Sequence, residues 1–354
     1  MLSLSKETVL AALVSAALAV SCRAQTGVEA TLPVITQKSI IASDGAVTFL
    51  SDHKLAVVTC NFGCELSVIE LADGKLRGVA EPLRLDSPVS IYRALNEGVI
   101  VQPKWLDHAV LFECDLEKRS PLSSGYIFDW AVSATGQTFG EESKPTGWIA
   151  YKTALPPARI RAGDGTLLSI SDDAVVYQLD STIRVEDMQG KLLGSFQAKP
   201  ERNCPSRAKI LGKNRLWFSF CGGKREDIRD FDGRILHQLA ASDGWGYRLG
   251  QSVDGSRLLF DKYTRHIGFF KSAGEVAVAL GTLGVGVADQ VADGEMVRVI
   301  DTRNGTVCFE WHGTSERLPE GGYHADIDPS GRYVAIATKT AVTVYEIPTS
   351  CGTK

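Results

Sequence analysis

Toward its C-terminal end the chain alternates apolar and polar positions in short runs separated by turn residues. Residues 323–328 read as a strand, Asp328-Pro329-Ser330-Gly331 as a turn, residues 332–337 as a second strand and residues 341–347 as a third. The turn has a physical basis: Pro presets φ at its second position, and Gly accepts backbone angles that a side chain resists. Three strands in succession cannot bury both their faces alone, so the rest of the chain is expected to supply further copies.

Further copies are present. A β-branched residue, an acidic residue, a turn and a Gly recur in Ile69-Glu70-Leu71-Ala72-Asp73-Gly74, Val185-Glu186-Asp187-Met188-Gln189-Gly190, Ile228-Arg229-Asp230-Phe231-Asp232-Gly233 and Ile300-Asp301-Thr302-Arg303-Asn304-Gly305. In each copy the Gly is expected to link a third strand to a fourth. Gly190 and Gly233 stand apart by about the ~40 to 45 residues of a four-stranded blade. A second phrase marks the turn from first to second strand: Ser43-Asp44-Gly45, Ser133-Ala134-Thr135-Gly136, Ser252-Val253-Asp254-Gly255 and Asp328-Pro329-Ser330-Gly331. The predicted fold is all-β, a β-propeller of seven four-stranded blades centred near residues 62, 106, 145, 180, 220, 275 and 338. Six or eight blades stay open as counts, and a β-sandwich is the rival architecture, disfavoured by the regular spacing. The last blade runs out of chain before an outer strand. Thr31-Leu32-Pro33-Val34-Ile35-Thr36 is expected to supply it from the N-terminal side, closing the ring and removing an edge.

These phrases resemble the WD-repeat and YVTN-type propellers. Val297-Arg298-Val299-Ile300-Asp301-Thr302-Arg303-Asn304-Gly305 is similar to the third-strand phrase of a WD repeat, with Ile300-Asp301 where Trp-Asp stands. Tyr345-Glu346 fills that place in the last blade, and His324 sits where the family often has its Gly-His histidine. The resemblance implies a scaffold fold that hosts binding proteins and enzymes alike.

Residues 1–24 follow the grammar of a secretory leader: a short polar start with Lys6, an apolar run over 9–20, and small residues before Gln25. The run is shorter than the ~20 residues of a membrane span, and no later stretch reaches that length. Cleavage after Ala24 is expected; the rival is a lipid anchor at Cys22, where Leu18-Ala19-Val20-Ser21-Cys22 loosely resembles a lipobox. The mature chain, 25–354, is read as one domain that is secreted or periplasmic. Formal charge is -4 and no basic stripe appears, which argues against nucleic acid as a partner. Of the eight cysteines, Cys22 falls in the leader, so an odd number remains for an oxidising compartment. Cys60 with Cys64 across a hairpin and Cys204 with Cys221 across adjacent strands are the expected pairs, with Cys308 and Cys351 as a weaker third.

None of the six histidines forms His-x-His or His-x-x-x-His, so no metal site and no cofactor is predicted. Gly281-Thr282-Leu283-Gly284-Val285-Gly286 lacks the strand, helix and Lys of a phosphate loop. Residues 267–293 break the blade rhythm and read as an insertion in blade six. Val276, Val278 and Leu280 at every second position favour extended blade strands there, against a cap over one face. Residues expected where the chain enters the innermost strands are Tyr92, Arg93, Asp129, Trp130, Arg207, Trp245, Tyr247, Arg248, Tyr323 and His324. Aromatics beside Arg would suit a sugar, an anionic group or a peptide; the bland reading wedges them between blades as core. The function read from all this is an exported, non-enzymatic, monomeric propeller that binds a protein or small ligand. The alternative is a lyase or hydrolase acting on a carbohydrate or lactone, with His324, Arg248 or Asp129 as acid or base.

Overall fold

The computed structural model describes residues 33–38 and 46–351, apart from 61–62, 73–74, 79–81, 86–88, 104–108, 118, 123–130, 144–146, 155, 199–205, 221–224, 240–244, 268–289, 313–323 and 339–340. Their strands pair into seven antiparallel sheets, the blades of a β-propeller. Blade one holds Ala46–Ser51, Lys54–Cys60, Cys64–Ala72 and Lys75–Gly78, with Leu83–Leu85 also paired to its third strand. Blade two holds Val89–Arg93, Val99–Pro103, Val110–Phe112 and Arg119–Pro121. Blade three shows Thr138–Ser143, Gly147–Lys152 and Ala158–Asp164, with Val132 bridging to Phe139. Blade four is Thr166–Ile170, Ala174–Leu179, Thr182–Asp187 and Leu192–Gln197, and blade five Arg207–Leu211, Arg215–Phe220, Arg225–Asp230 and Ile235–Leu239. Blade six is Trp245–Gln251, Arg257–Ile267, Gln290–Asp301 and Val307–His312.

Blade seven closes the ring. Its own strands His324–Ile327, Tyr333–Ala337 and Ala341–Glu346 are joined by Pro33–Lys38, antiparallel to the last of them, with Ile35 opposite Val344 and Gln37 opposite Val342. The chain thus borrows its last outer strand from the N-terminal side, as the sequence pattern predicts. Joining both ends in one sheet gives this blade the four-stranded form of its neighbours.

The core lies between blades. Each of seven apolar clusters spans one pair of neighbours, and together they run round the ring. Strand alternation makes this work: in blade five, Leu216 and Phe218 face blade four while Trp217 faces blade six. A blade is therefore buried on both faces, which explains unbroken apolar runs such as Leu55-Ala56-Val57-Val58 and Val334-Ala335-Ile336-Ala337.

The turns carry their own logic. Gly190, Gly233 and Gly305 link third to fourth strands with φ of 92°, 84° and 73°, the left-handed region in which a Cβ is unfavourable. In the first-to-second turns a side-chain oxygen accepts an amide hydrogen from five residues ahead: Thr138 N to Ser133 Oγ at 3.1 Å, Arg257 N to Ser252 Oγ at 3.0 Å, Tyr333 N to Asp328 Oδ1 at 2.6 Å. Ser or Asp at the head of the phrase is thus a turn lock. Ser43-Asp44-Gly45 is a correction to the sequence reading. It precedes the first strand of blade one, lies outside the described residues, and the first-to-second turn there is Asp52-His53. That phrase matched by composition alone, because Ser-Asp-Gly suits any turn.

Within blade six the second and third strands are long and stay paired out to Ile267 and Gln290. The remainder of the predicted insertion, with Val276, Val278 and Leu280, lies outside the described residues.

Candidate functional site

A propeller's first strands surround its channel, so the side chains they turn inward form the natural site. Two ends are distinguished below: the leading face, where the first strands begin, and the trailing face, where each turns into the second. The trailing face is laced together from blade to blade. Ser330 N donates to Asp52 Oδ1 at 3.1 Å, Lys54 pairs with Glu97, Thr135 Oγ1 donates to Asp172 Oδ2 at 2.6 Å, and Val253 N donates to Pro329 O at 2.9 Å. A Cβ on Gly255 would lie 2.1 Å from Gly212 N, so the turns of blades five and six meet backbone to backbone.

Inside the channel, toward this laced face, six blades converge on one cavity of ≈ 50 Å³. Thr48, Arg93, Ser133, Lys209, Gln251 and Asp326 are the buried polar residues among those described in its lining. Asp326 Oδ2 accepts from Thr48 Oγ1 and Phe49 N, each at 2.8 Å, and from Arg93 Nη2 at 3.4 Å. Arg93 Nη2 also donates to Ile327 O at 2.6 Å. These bonds tie blades one, two and seven across the seam of the ring. Gly250 lets the wall come close, since a Cβ there would stand 3.0 Å from Asp326 Oδ1.

The size of this cavity decides between ligand classes. A water needs roughly 10–15 Å³ by this measure, whereas pockets for drug-sized ligands run to roughly 300–1,000 Å³. The space among the described residues therefore suits a few waters or one small polar group, and a sugar ring does not fit it.

The residues expected at the openings of the innermost strands divide between the two faces. Arg207, Trp245 and His324 are the first residues of their strands and stand on the leading face; Tyr247 and Arg248 follow Trp245 along the same strand. Arg207 is exposed. Tyr92 and Arg93 end theirs, so they belong to the trailing side, buried, with Tyr92 packed among apolar residues of blades two and three. Their apolar neighbours Ile91 and Val89 hid that direction in the sequence. Asp129, Trp130 and Tyr323 lie outside the described residues. Sequence reasoning missed Lys209, Gln251 and Asp326; period two along Arg207-Ala208-Lys209 would have found Lys209.

Buried carboxylates elsewhere act as ties. Glu186 is buried, which works against ionisation, yet bonds from Arg161, Tyr177 Oη at 2.7 Å and Arg184 Nε at 3.2 Å outweigh that and hold its carboxyl below the ordinary value. With every partner a donor, this group stays an anion bridging blades three and four. Asp301 is held low first by the hydrogen bond from Arg303, with Nη2 at 2.6 Å, and takes Arg257 Nη1 at 3.1 Å. No cluster of three His, Cys, Asp or Glu that could hold a metal occurs among the described residues.

Among the described residues two disulfides are formed, Cys60–Cys64 within blade one and Cys308–Cys351, which ties blade six to the chain beyond blade seven. Cys114 is a free thiol, and Cys204 and Cys221 lie outside the described residues.

Among solved structures the chain is similar to Raptor from Chaetomium thermophilum, at 10% identity and TM-score 0.59 over 91% of this chain and 29% of that one. It is likewise similar to the C-terminal WD40 domain of Sif2, at 11% identity and TM-score 0.50 over 90% of this chain and 99% of that domain. At such identities the likeness establishes the fold, a WD40-type seven-bladed propeller, and nothing of the job done on it. No protein-family model matches the chain, and no curated protein does.

Proposed function

We propose that the chain is an exported, non-enzymatic scaffold that binds a protein partner through the leading face of its ring. The observation that carries this reading is a frame braced along its trailing face that carries exposed first-strand starts on its leading face. On the trailing face the turns of successive blades are hydrogen-bonded to one another, whereas the leading face presents the starts of the first strands, with the exposed Arg207 among them. Loops held on a rigid frame are where binding residues concentrate. Arg and Trp are the residue types that most often anchor protein interfaces, and Arg207, Trp245 and His324 begin three consecutive first strands.

Export is supported by the leader grammar of residues 1–24 and by the two disulfides, which persist in oxidising compartments. The mature chain then begins at Gln25, and a closed ring needs no second copy for stability.

The test is comparative recovery of the native partner from the source cells by the full chain and by a double variant, Arg207→Glu with Trp245→Ala. Partner recovered by the first and reduced at least tenfold with the second is the expected result. Equal recovery by both would remove the leading face from the interaction. N-terminal sequencing of the protein from the cell exterior checks export, with Gln25 as the expected first residue.

A further inference from the structure

The turn from the third to the fourth strand of blade six carries a tripeptide with a chemistry of its own. Of the chain's asparagines only Asn304 stands in the pattern Asn-x-Ser/Thr, as Asn304-Gly305-Thr306, and the middle residue is not Pro. That pattern is the acceptor signal for N-linked sugar on surface turns of proteins that enter the secretory path. Short patterns also arise by chance, and the geometry of this copy separates a usable acceptor from an accident.

Asn304 is exposed. Its Oδ1 accepts from Thr306 N at 3.0 Å and from Thr306 Oγ1 at 2.7 Å, so the hydroxyl that the pattern requires already lies against the acceptor amide. Two donors on one side of the carboxamide identify that side as oxygen. The other side, Nδ2, is the atom that takes sugar, and it has no acceptor among the described residues. The turn holds together without it, because Asp301 N donates to Thr306 O and Gly305 N to Asp301 O, each at 2.8 Å. Nor is the turn crowded: at Gly305, with φ of 73°, a Cβ would meet nothing closer than Leu239 Cδ2 at 3.7 Å.

We propose that Asn304 is the acceptor of an N-linked glycan. In the transfer, Nδ2 bonds to the anomeric carbon of a sugar carried on a lipid diphosphate, and the bond from that carbon to the diphosphate oxygen breaks. The lipid diphosphate leaves with the electron pair, and the proton lost from Nδ2 passes to a base of the transferase. Only chains that enter the secretory path meet this donor, so the assignment rests on the export proposed for the chain. Third-to-fourth turns lie on the trailing face, and the sugar therefore stands away from Arg207, Trp245 and His324, which begin their strands on the leading face.

The test is the intact mass of the chain, secreted and cell-retained alike, from a eukaryotic secretory cell before and after peptide-N-glycosidase. It is run with the chain's own residues 1–24 and with those residues replaced by the leader of a well-secreted protein. Both forms are expected to lose the mass of a glycan on treatment, leaving an aspartate where Asn304 stood. Asn304→Gln and Thr306→Ala should each abolish the modification, and Thr306→Ser, which restores a hydroxyl, should keep it. No glycan on the leader-replaced chain, or a glycan that survives both Asn304→Gln and Thr306→Ala, overturns the proposal. A glycan on the leader-replaced chain alone supports Asn304 as the acceptor and counts against export by residues 1–24.

Discussion

At the residue scale, two buried aspartates at neighbouring places in the blade repeat are tuned in opposite directions. Asp301 is held below the ordinary carboxylate value, chiefly by Arg303 and then Arg257. Its folded-state pKa therefore lies below its unfolded one, so its stabilisation is complete above the unfolded value, near 4, and is lost as pH falls through the folded value. Asp328 is pushed up by burial despite its bonds from Ser330 and Tyr333 N. The folded protein holds that proton more tightly, so its contribution declines as pH rises from the ordinary aspartate value through the raised one. Asp301→Ala leaves the buried Arg257 without its counter-charge, with Thr349 O and the disulfide sulfurs as its remaining acceptors, and should cost about 3 kcal/mol near neutral pH. Asp328→Asn keeps an oxygen for Tyr333 N and relieves the buried charge, so it should cost less than about 1 kcal/mol. Denaturant melts of both variants from pH 3 to 8 check the contrast; equal losses at neutral pH would refute it. The sequence places Asp301 where the Asp of Trp-Asp stands and Asp328 at the head of a first-to-second turn. Asp301's chief partner, Arg303, stands two positions along the same phrase, whereas the burial that raises Asp328 and the contact of Asp301 with Arg257, 44 positions away, are set by the fold and by no local pattern.

At the element scale, the strand phrases were legible because each turn needs particular backbone angles, and Gly, Pro, Ser and Asp announce them. Blades four to seven follow the phrases closely. Blade one was misplaced at Ser43-Asp44-Gly45, because turn chemistry fixes that a turn occurs and leaves open which strands it joins. The Cys60–Cys64 bridge follows from two strand-like runs around a short turn, since Cys60 and Cys64 face each other in the hairpin register. Cys308–Cys351 was harder to see, because it joins a fourth strand to a C-terminal segment with no strand pattern. That bridge closes the longer loop, 43 positions against 4. In the chain-entropy picture it should contribute about 4 kcal/mol, against about 2 kcal/mol for the hairpin. Calorimetry of Cys308→Ser with Cys351→Ser, beside Cys60→Ser with Cys64→Ser, should show the larger fall in Tm for the first pair. A larger fall for the hairpin pair would contradict this ordering.

For the whole molecule, the fold is a ring in which each blade contributes one face to each neighbour's core, so no blade is stable on its own faces alone. The periodicity made the ring and its closing strand readable from the chain. The site was less so: first-strand positions were recognised, but their direction through the channel was not, which placed Arg93 on the wrong face and left Lys209 and Asp326 unnoticed. Both the leading face and the channel cavity exist only if the ring is shut, and the bonds Arg93 makes to Asp326 and Ile327 cross that seam. Native-state hydrogen exchange across the closing strand tests this most directly. The amides of Ile35 and Gln37, set opposite Val344 and Val342, should be protected to within about tenfold of those in the core strand around Val299, as expected for one cooperative unit. Exchange of residues 33–38 at the rate of an unfolded chain, with Val299 still protected, would mean that the ring is not closed by this strand.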